Sequence, residues 1–222
     1  MAEMISIENI TKKFGDVTVL ENINLSFEQG KIYGIVGRNG SGKTVLFKLI
    51  IGYLKPTGGR VVVCGKEIGK DRDFADDIGI IIENPGFLNG YTGFKNLEYL
   101  AGIRDMIGKE EIRESMERVG LDPNSNKKVG KYSLGMKQRL GIAQAIMENP
   151  KILILDEPMN GLDNQGVEDV RGILMRLRDE GKTIILASHN KEDIEILCDE
   201  VYEMDHGRLK QLDFFIDKKV YQ

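Results

Sequence analysis

Hydrophobic and polar residues alternate in the first part of the chain and form unbroken apolar runs in the last part. Alternation over 4–10 and 23–27, with a further short strand over 17–20 between them, predicts an antiparallel meander of half-buried strands. The later runs 152–155 and 183–187 are apolar throughout, which is typical of parallel strands buried on both faces. The pattern therefore predicts an α/β protein whose antiparallel strands come first.

The middle of the chain follows a different period, because its apolar residues recur at the spacing of helices. Three segments share this spacing: 96–106, 109–120 and 138–147. We therefore expect a helical insert over 87–150 within a sheet-based domain that is built from 1–86 and 151–222.

A glycine-rich loop, 37–44, follows the predicted strand 31–36 and precedes a predicted helix. It fits G-x-x-x-x-G-K-[ST], and this strand–loop–helix context is the one in which the pattern indicates a phosphate-binding loop. A Cβ at Gly37, Gly40 or Gly42 is predicted to crowd the phosphate, and the following helix adds partial positive charge. The alternative, a turn that matches by chance, is disfavoured by the flanking strand and helix.

Four side chains of this loop belong to a candidate nucleotide site. Lys43 can reach the β- and γ-phosphates and is counted among the catalytic residues, and the Thr44 hydroxyl can hold Mg²⁺. Asn39 and Ser41 are assigned to the same nucleotide-binding set because they lie within the loop. ATP and Mg²⁺ are therefore the expected cofactors.

A second group of candidate residues follows the buried strands. Asp156 and Glu157 come at the end of one strand, and His189 follows the next. Ligands bind at the carboxyl edge of such sheets, so these residues should lie near the phosphate loop.

Each of these three residues has a predicted role. Strand alternation predicts that Asp156 and Glu157 point in opposite directions. Asp156 would hold Mg²⁺ through water, Glu157 would act as the base toward an attacking water, and His189 would donate to a γ-phosphate. The alternatives are carboxylates that merely face solvent and a histidine with a structural role.

Composition and charge restrict the class of protein. Hydrophobic residues make up 41% and charged residues 30% of the chain, which is ordinary for a globular protein. A net charge of −4 argues against binding nucleic acid through bulk charge. No run approaches the ~18 consecutive apolar residues of a membrane span, and 1–4 lack a signal-peptide pattern, so a cytosolic protein is expected.

The cysteines, one histidine and the last residues carry weaker signals. Cys64 and Cys198 fit no metal-ligand spacing and are predicted to be buried thiols in a reducing compartment. His206 lies in a predicted hairpin turn and is expected at the surface. Residues 213–222 carry no clear structural signal.

In their order along the chain, these motifs resemble those of the ATP-binding subunits of ABC transporters. Residues 132–139 are similar to the signature motif that defines the family, and 160–163 resemble its D-loop. His189 resembles the switch histidine of the family. The resemblance extends over residues 3–210 and implies that 1–222 form a single ABC-type ATP-binding domain with a P-loop NTPase core.

The resemblance assigns further residues to the nucleotide. It implies that Phe14 stacks on the adenine base, whereas core packing is the default interpretation of this residue from the pattern alone. Thr18 is added to the nucleotide-binding candidates. Ser133 and Gly135 of the signature motif are implied to donate hydrogen bonds to the γ-phosphate held by a partner subunit, and Asp163 of the D-loop belongs to the same set.

Three residues depart from the family pattern. Leu134 stands at a usual glycine of the signature motif and Met136 at its usual glutamine. Glu83 stands where the family has glutamine. Its carboxylate can still contact a metal or a water, so Glu83 is a candidate metal ligand, but it adds negative charge beside the phosphates.

The resemblance also implies an assembly. Two chains, most simply identical ones, would form a head-to-tail dimer with each ATP between one phosphate loop and the other signature motif. A γ-phosphate that both chains contact can hold the dimer together, and hydrolysis removes that contact. An integral membrane permease would be the second partner, which implies a peripheral location on the cytoplasmic face of the cell membrane, with no nucleic acid bound.

Two segments, 83–87 and 132–136, are most similar to the branch that exports bacitracin, lantibiotics and drugs. The implied function is export of a peptide antibiotic, lipid-like or drug substrate. The insert would meet a short cytosolic helix of the permease. Four hydrophobic residues near Glu83 are candidates for that contact unless they pack within the insert: Phe87, Leu88, Tyr91 and Phe94.

Two other functions remain open from the sequence. One is a soluble ABC-type ATPase switch that acts on ribosomes or DNA, and salt-sensitive binding of RNA or DNA would favour it. The other is a regulatory module that holds ATP without useful turnover, which only Glu83, Leu134 and Met136 favour. Phosphate release well above that of a Lys43→Ala control would exclude the second.

Overall fold

Two β-sheets organise the part of the chain that the computed structural model describes, residues 2–83 and 86–212. The strands are β1 (Glu3–Phe14), β2 (Val17–Glu28), β3 (Ile32–Val36), β4 (Gly58–Val63), β5 (Lys66–Glu67), β6 (Ile78–Ile81), β7 (Ile152–Asp156), β8 (Thr183–Ala187), β9 (Glu200–Asp205) and β10 (Arg208–Leu212). The helices are α1 (Lys43–Ile50), α2 (Gly93–Arg104), α3 (Lys109–Arg118), α4 (Leu134–Ile146), α5 (Asn164–Asp179) and α6 (Lys191–Leu197), with a 3₁₀ turn over Val129–Lys131. The predicted α/β class is confirmed.

The first sheet is antiparallel and has the strand order β2-β1-β4-β5. The two short strands predicted over 17–20 and 23–27 are one strand, β2. Asn22 takes a left-handed backbone (φ +50°), and its N–H donates to the Thr11 hydroxyl at 3.2 Å. A bulge with a register shift thus replaces the predicted break, because asparagine tolerates this backbone and pairing resumes beyond it.

The second sheet has the strand order β10-β9-β3-β8-β7-β6, and the strands from β9 to β6 run parallel. In β7, Ile152 and Ile154 join the core shared with the first sheet, whereas Leu153 and Leu155 join the core shared with the helices. Each such side chain contributes about 1.5–3 kcal/mol by leaving water. The predicted burial on both faces is therefore confirmed for this strand.

Polar caps set where two helices begin. α4 begins at Leu134, earlier than predicted, because the Ser133 hydroxyl accepts a backbone N–H of the first turn at 3.2 Å. α2 begins at Gly93, where Thr92 accepts in the same way. The helices α2, α3 and α4 all lie within 87–150. The division of the domain into a sheet-based part and an insert stays a prediction.

A direct backbone contact joins α4 to the second sheet. Gly79 in β6 lies so close to α4 that a Cβ at this position would collide with the carbonyl group of Ala145. Glycine is therefore required here by the approach of helix and strand. The chain continues from β6 to Glu83, whose backbone is left-handed (φ +63°).

The exposure of several side chains differs from the prediction. Phe14 is 47% exposed, so its default assignment to the core is wrong. Cys198 is buried as predicted, but Cys64 is exposed because it turns the chain after β4 with φ +48°. His206 is exposed, which confirms its prediction.

The hydrophobic residues near Glu83 divide into two pairs. Phe87 and Phe94 pack against the core, as the packing alternative proposed. Leu88 and Tyr91 are exposed and remain candidates for contact with a partner.

Some predictions concern residues that the structure does not describe. The segment 83–87, which is similar to the export branch, lies partly outside the described residues, and 213–222 lie outside them entirely. Of the helices in the described ranges, none combines the length and the apolar composition that crossing a membrane requires.

Candidate active site

A cavity of about 760 Å³ opens at one edge of the second sheet. It lies where β3, β7 and β8 end, so the residues that follow these strands meet there, as the topology of parallel sheets predicts. Asn39 and His189 are 150 positions apart in the chain and contact each other here. Nine predicted residues line the cavity: Asn39, Gly40, Gly42, Lys43, Thr44, Glu83, Asp156, Glu157 and His189.

Two glycines of the loop are required for a reason other than the predicted one. A Cβ at Gly37 would collide with the carbonyl of Met204. A Cβ at Gly42 would lie 2.7 Å from a methyl group of Leu20. Both glycines also have positive φ, so the packing of the chain itself excludes other residues. A Cβ at Gly40 meets no atom of the described residues within 4 Å, and the predicted crowding of a phosphate remains a prediction there.

Lys43 begins α1 and lies inside the cavity, with 7% of its surface exposed. Its ammonium group donates to the carbonyls of Gly37 at 2.6 Å and Arg38 at 3.2 Å. Burial lowers the pKa of this lysine, and the carboxylates of Asp156 and Glu157 oppose that shift. The ammonium can therefore exchange two neutral carbonyls for phosphate oxygens, which are stronger acceptors because they are charged.

Thr44 and Asp156 supply oxygen atoms that suit a magnesium ion. The Thr44 hydroxyl donates to Oδ2 of Asp156 at 3.0 Å. Over the described ranges, no three His, Cys, Asp or Glu side chains are arranged to hold a metal by themselves. Mg²⁺ takes six oxygen ligands and commonly draws several from water and nucleotide phosphates. The pair therefore fits a magnesium ion that arrives with a nucleotide.

The prediction that Asp156 and Glu157 point in opposite directions is wrong, because both side chains line the same cavity. Glu157 has a left-handed backbone (φ +52°), and its N–H donates to the carbonyl of Ala187 at 2.9 Å. The extended alternation of β7 thus ends at Asp156, and the next side chain returns to the same edge.

Glu157 and His189 contact each other at this edge. Oε1 of Glu157 is 3.3 Å from Nε2 of His189, and the same nitrogen is 2.9 Å from Oδ1 of Asn39. A neutral imidazole has one N–H, so a proton on Nε2 bonds the nearer oxygen, that of Asn39. Oε1 of Glu157 is consequently left without that hydrogen bond.

The carboxyl of Glu157 is suited to accept a proton. Burial raises the pKa of Glu157, and the backbone N–H and imidazole of His189 oppose the shift. That N–H donates to Oε2 of Glu157 at 3.3 Å. A carboxylate with a raised pKa is a stronger base than one in water.

Two buried side-chain atoms, Ser41 Oγ and Glu157 Oε1, have no hydrogen-bond partner among the described residues. Such an atom costs about 1–3 kcal/mol when it stays unpaired. Ser41 belongs to the glycine-rich loop, and Glu157 lines the cavity beside it. Glu157 Oε1 therefore indicates a site that is completed by a polar ligand, whereas Ser41 does not line the cavity.

The signature and D-loop segments also reach the cavity. Leu134 and Gln138 of α4 line it together with Asn160, and the sequence prediction missed the last two. Gln138 could have been suspected, since it lies in the signature segment. The residues predicted to contact the nucleotide of a partner are not part of the lining in their own chain: Ser133, Gly135 and Asp163.

The same two segments pack closely against each other. A Cβ at Gly161 would collide with the side chain of Leu134, and one at Gly135 would lie 3.3 Å from Leu162. Asp163 accepts a backbone N–H at 2.8 Å and caps α5. Leu134, which departs from the family pattern, thus fills the space above Gly161.

Two further nucleotide-binding candidates, Phe14 and Thr18, differ in their surroundings. Phe14 has an accessible ring, with the ammonium of Lys12 4.8 Å from its centre. Thr18 is exposed and does not line the cavity, whereas its neighbour Val19 does. Val19 is thus brought to the cavity, and the role of Thr18 stays a prediction.

Glu83 has a partner that the sequence did not reveal. Its carboxylate accepts from the ammonium of Lys48 in α1 at 2.7 Å. Both groups are partly or largely exposed, so the pair contributes at most about 1 kcal/mol. Lys48 offsets the negative charge that glutamate adds beside the cavity.

Three features define this chain as a P-loop nucleotide-binding protein. They are the glycine-rich loop between β3 and α1, Lys43 at the start of α1, and the adjacent Thr44–Asp156 pair. Residues 20–160 match the family model of ABC transporters. The chain is 48% identical to the ABC transporter ATP-binding protein YybJ of Bacillus subtilis, over 97% of this chain and 99% of that protein.

Two further comparisons agree with this class. The chain is 44% identical to the bacitracin transport ATP-binding protein BcrA of Enterococcus faecalis, over 94% of this chain and 68% of that protein. It is 26% identical to the dimeric ATP-binding cassette MJ0796 in a post-hydrolysis state with ADP and Pi, with a TM-score of 0.82 over 94% of this chain and 99% of that one. The chain belongs to the ATP-binding subunits of ABC transporters. It is accordingly an ABC-type ATP hydrolase, and the predicted P-loop core with its N-terminal antiparallel sheet is confirmed.

Proposed function

We propose that the subunit hydrolyses Mg-ATP in the cavity at the ends of β3, β7 and β8. Lys43 neutralises phosphate charge, and Glu157 orients and deprotonates the attacking water. His189 exchanges its contact with Asn39 for one with the γ-phosphate. The observation that carries this proposal is the meeting of Lys43, Glu157 and His189 around one cavity, with a buried carboxylate oxygen that no described residue bonds.

Magnesium would be held by Thr44 and Asp156, with Glu83 as a further candidate on the same cavity. When bound, the ion neutralises charge on the phosphate oxygens. The hydroxyl and carboxylate of the first two residues already lie within one hydrogen bond of each other, so little rearrangement is needed to present both.

Glu83→Gln is expected to change the magnesium dependence of ATP binding more than the affinity at saturating magnesium. The substitution removes a negative charge at the cavity and also breaks the contact with Lys48. Half-saturation by magnesium should shift by about threefold or more, and the dissociation constant at high magnesium by less than about twofold. Calorimetric titration with ATP over a series of magnesium concentrations measures both.

Lys48→Met is the matched control for Glu83→Gln, because it breaks the same ion pair and keeps the carboxylate. It should leave the carboxylate available to a metal and shift half-saturation in the opposite direction or not at all. Equal changes in affinity and magnesium dependence, or the same change in both variants, would contradict a role of Glu83 toward the metal.

Two copies of the chain would bind ATP head to tail, each signature motif facing the nucleotide of the other copy. Ser133, Gly135 and Asp163 support this arrangement, because they do not line the nucleotide cavity of the chain that carries them. The dimeric state of the related cassette MJ0796 with ADP and Pi also supports this arrangement. Phe14, with its accessible ring, would stack on the adenine base.

The dimer would drive a separate membrane permease from the cytoplasmic face, as an exporter. The related protein BcrA is a bacitracin transport ATP-binding protein, which favours a peptide antibiotic or a similar amphipathic molecule as the substrate. The exposed Leu88 and Tyr91 beside Glu83 supply apolar surface for the permease.

Co-purification from detergent-extracted membranes tests the transport role. A tagged chain should retain an integral membrane protein, and ATP turnover of the complex should exceed that of the chain alone. Recovery of the chain without any membrane polypeptide, together with tight and salt-sensitive RNA binding, would instead support the soluble switch.

A further inference from the structure

A buried ion pair joins α5 to α6, and the proposed chemistry does not use it. Arg171 in α5 is 3% exposed and Asp193 in α6 is 1% exposed. Nε and Nη2 of the arginine donate to Oδ1 of the aspartate at 2.9 and 2.6 Å. Glu168 and Glu192 accept from the same guanidinium at 2.6 and 3.1 Å, so these bonds use four of its five N–H groups.

Stability alone does not explain these charges. Taking two ions out of water costs several kcal/mol for each, and apolar residues of similar size often hold two helices together equally well. The second carboxylate oxygen of Asp193 makes a contact outside the pair, which points to a further role.

The second oxygen of Asp193 reaches the segment that carries His189. Oδ2 accepts from the Ser188 hydroxyl at 3.2 Å, and Ser188 Oγ accepts from the N–H of Asn190 at 3.1 Å. Asn190 in turn caps α6 by accepting the N–H of Glu192 at 2.9 Å. The residues on both sides of His189 are thus fixed to one buried carboxylate.

His189 has little packing of its own. Half of its side chain is exposed, and within the described ranges its ring nitrogen contacts polar atoms of Asn39 and Glu157, which a nucleotide would rearrange. The position of the imidazole therefore depends on its backbone, which is held by its own N–H to Glu157 and by the contacts of Ser188 and Asn190 on either side.

We propose that Arg171 is a positioning residue for His189, acting through Asp193 and Ser188. The inference rests on the proposed role of His189 toward the γ-phosphate. Because Arg171 lies on α5, which Asp163 caps, the network also ties the imidazole to the helix that begins at the D-loop. The competing interpretation is that the pair only docks α6 against α5.

Ser188→Ala isolates the connection, because it removes the hydroxyl contact and leaves the ion pair intact. Ser115→Ala is its matched control: Ser115 is also buried and donates one hydrogen bond, to the carbonyl of Ile112 at 2.8 Å, within the helical insert. The chain has two histidines, and His206 is 93% exposed, so its imidazole is an internal reference in the NMR spectrum.

We expect the His189 imidazole signals of Ser188→Ala to move toward those of His206, while Ser115→Ala leaves them in place. The turnover number should fall about tenfold with little change in KM for ATP, since small displacements of a reacting group have large kinetic effects. Ser188→Thr, which keeps a hydroxyl, should restore most of the turnover. Unchanged His189 signals, or a loss no greater than in Ser115→Ala, would overturn the proposal.

A paired variant separates positioning from docking. Arg171→Met combined with Asp193→Leu removes both charges together, so neither is left buried alone. We expect this variant to fold with an unchanged circular dichroism spectrum and to show the shifted His189 signals and the reduced turnover number. Full turnover with wild-type signals would mean that the pair only docks the helices.

His189→Gln distinguishes failure of this inference from failure of the proposed function. If this variant turned over ATP at the wild-type rate, the role of His189 toward the γ-phosphate would be wrong. The imidazole signals of Ser188→Ala would still decide whether the network positions the ring.

Discussion

Glu157→Gln is expected to lower the ATP turnover number by about a hundredfold or more while ATP binding is retained. General base catalysis contributes roughly 10²–10⁴ in rate, and glutamine keeps the shape of the side chain but accepts no proton. The carboxylate is well suited to this role, because burial raises its pKa and Oε1 is unpaired among the described residues.

Steady-state phosphate release and calorimetric ATP titration of the Glu157→Gln variant measure the two effects separately. Glu148→Gln is a suitable control, because Glu148 is similarly shielded and pairs with Arg104, and neither residue lines the cavity. Since the variant would hold ATP without cleaving it, size-exclusion chromatography with Mg-ATP should also show more dimer than for the wild type. Wild-type turnover in a folded variant would show that another group activates the water.

Lys43→Met is expected to raise the dissociation constant of ATP by about ten- to a hundredfold. A charged hydrogen bond to phosphate contributes about 1.5–3 kcal/mol, and methionine keeps the length of the chain without the charge. Folding should be unaffected, because burial already disfavours the ammonium of Lys43, as its lowered pKa indicates.

Lys182→Met is a matched control for Lys43→Met. Burial also lowers the pKa of Lys182, and its ammonium likewise donates to a backbone carbonyl, that of Asn149 at 3.0 Å, but away from the cavity. Thermal unfolding and ATP titration of both variants compare them directly. Equal affinity in Lys43→Met and the wild type would remove the loop lysine from the proposed site.

The parts of the fold that were predicted correctly are those in which one local pattern decides the outcome. The residues of β7 and β8 that pack in a core are all apolar. A short unbroken apolar run of this kind is typical of a parallel strand buried on both faces. The loop before α1 has glycines at fixed spacing, and its strand and helix are both visible in the sequence.

The parts that were missed depend on backbone conformations that no periodicity reveals. Asn22 takes a left-handed backbone at a bulge, and β2 continues beyond it as one strand. Glu157 also takes a left-handed backbone, which returns its carboxylate to the side of Asp156. The start of α4 was visible in principle, because serine before a helical segment is a capping signal.

The contacts around the site were harder to predict, since they join distant positions. Lys48 pairs with Glu83, and Arg171 pairs with Asp193 on another helix. Each is an ordinary charged residue in its own segment, so only the packed fold shows what it neutralises. The roles of the cavity residues remain predictions, which the experiments described above would test.

The glycine at position 79 has a mechanical consequence. Because Gly79 has no side chain, α4 and β6 approach each other through main-chain atoms at this position. We therefore expect a displacement of α4 to move β6 as well, and with it the start of the segment that carries Glu83 to the cavity.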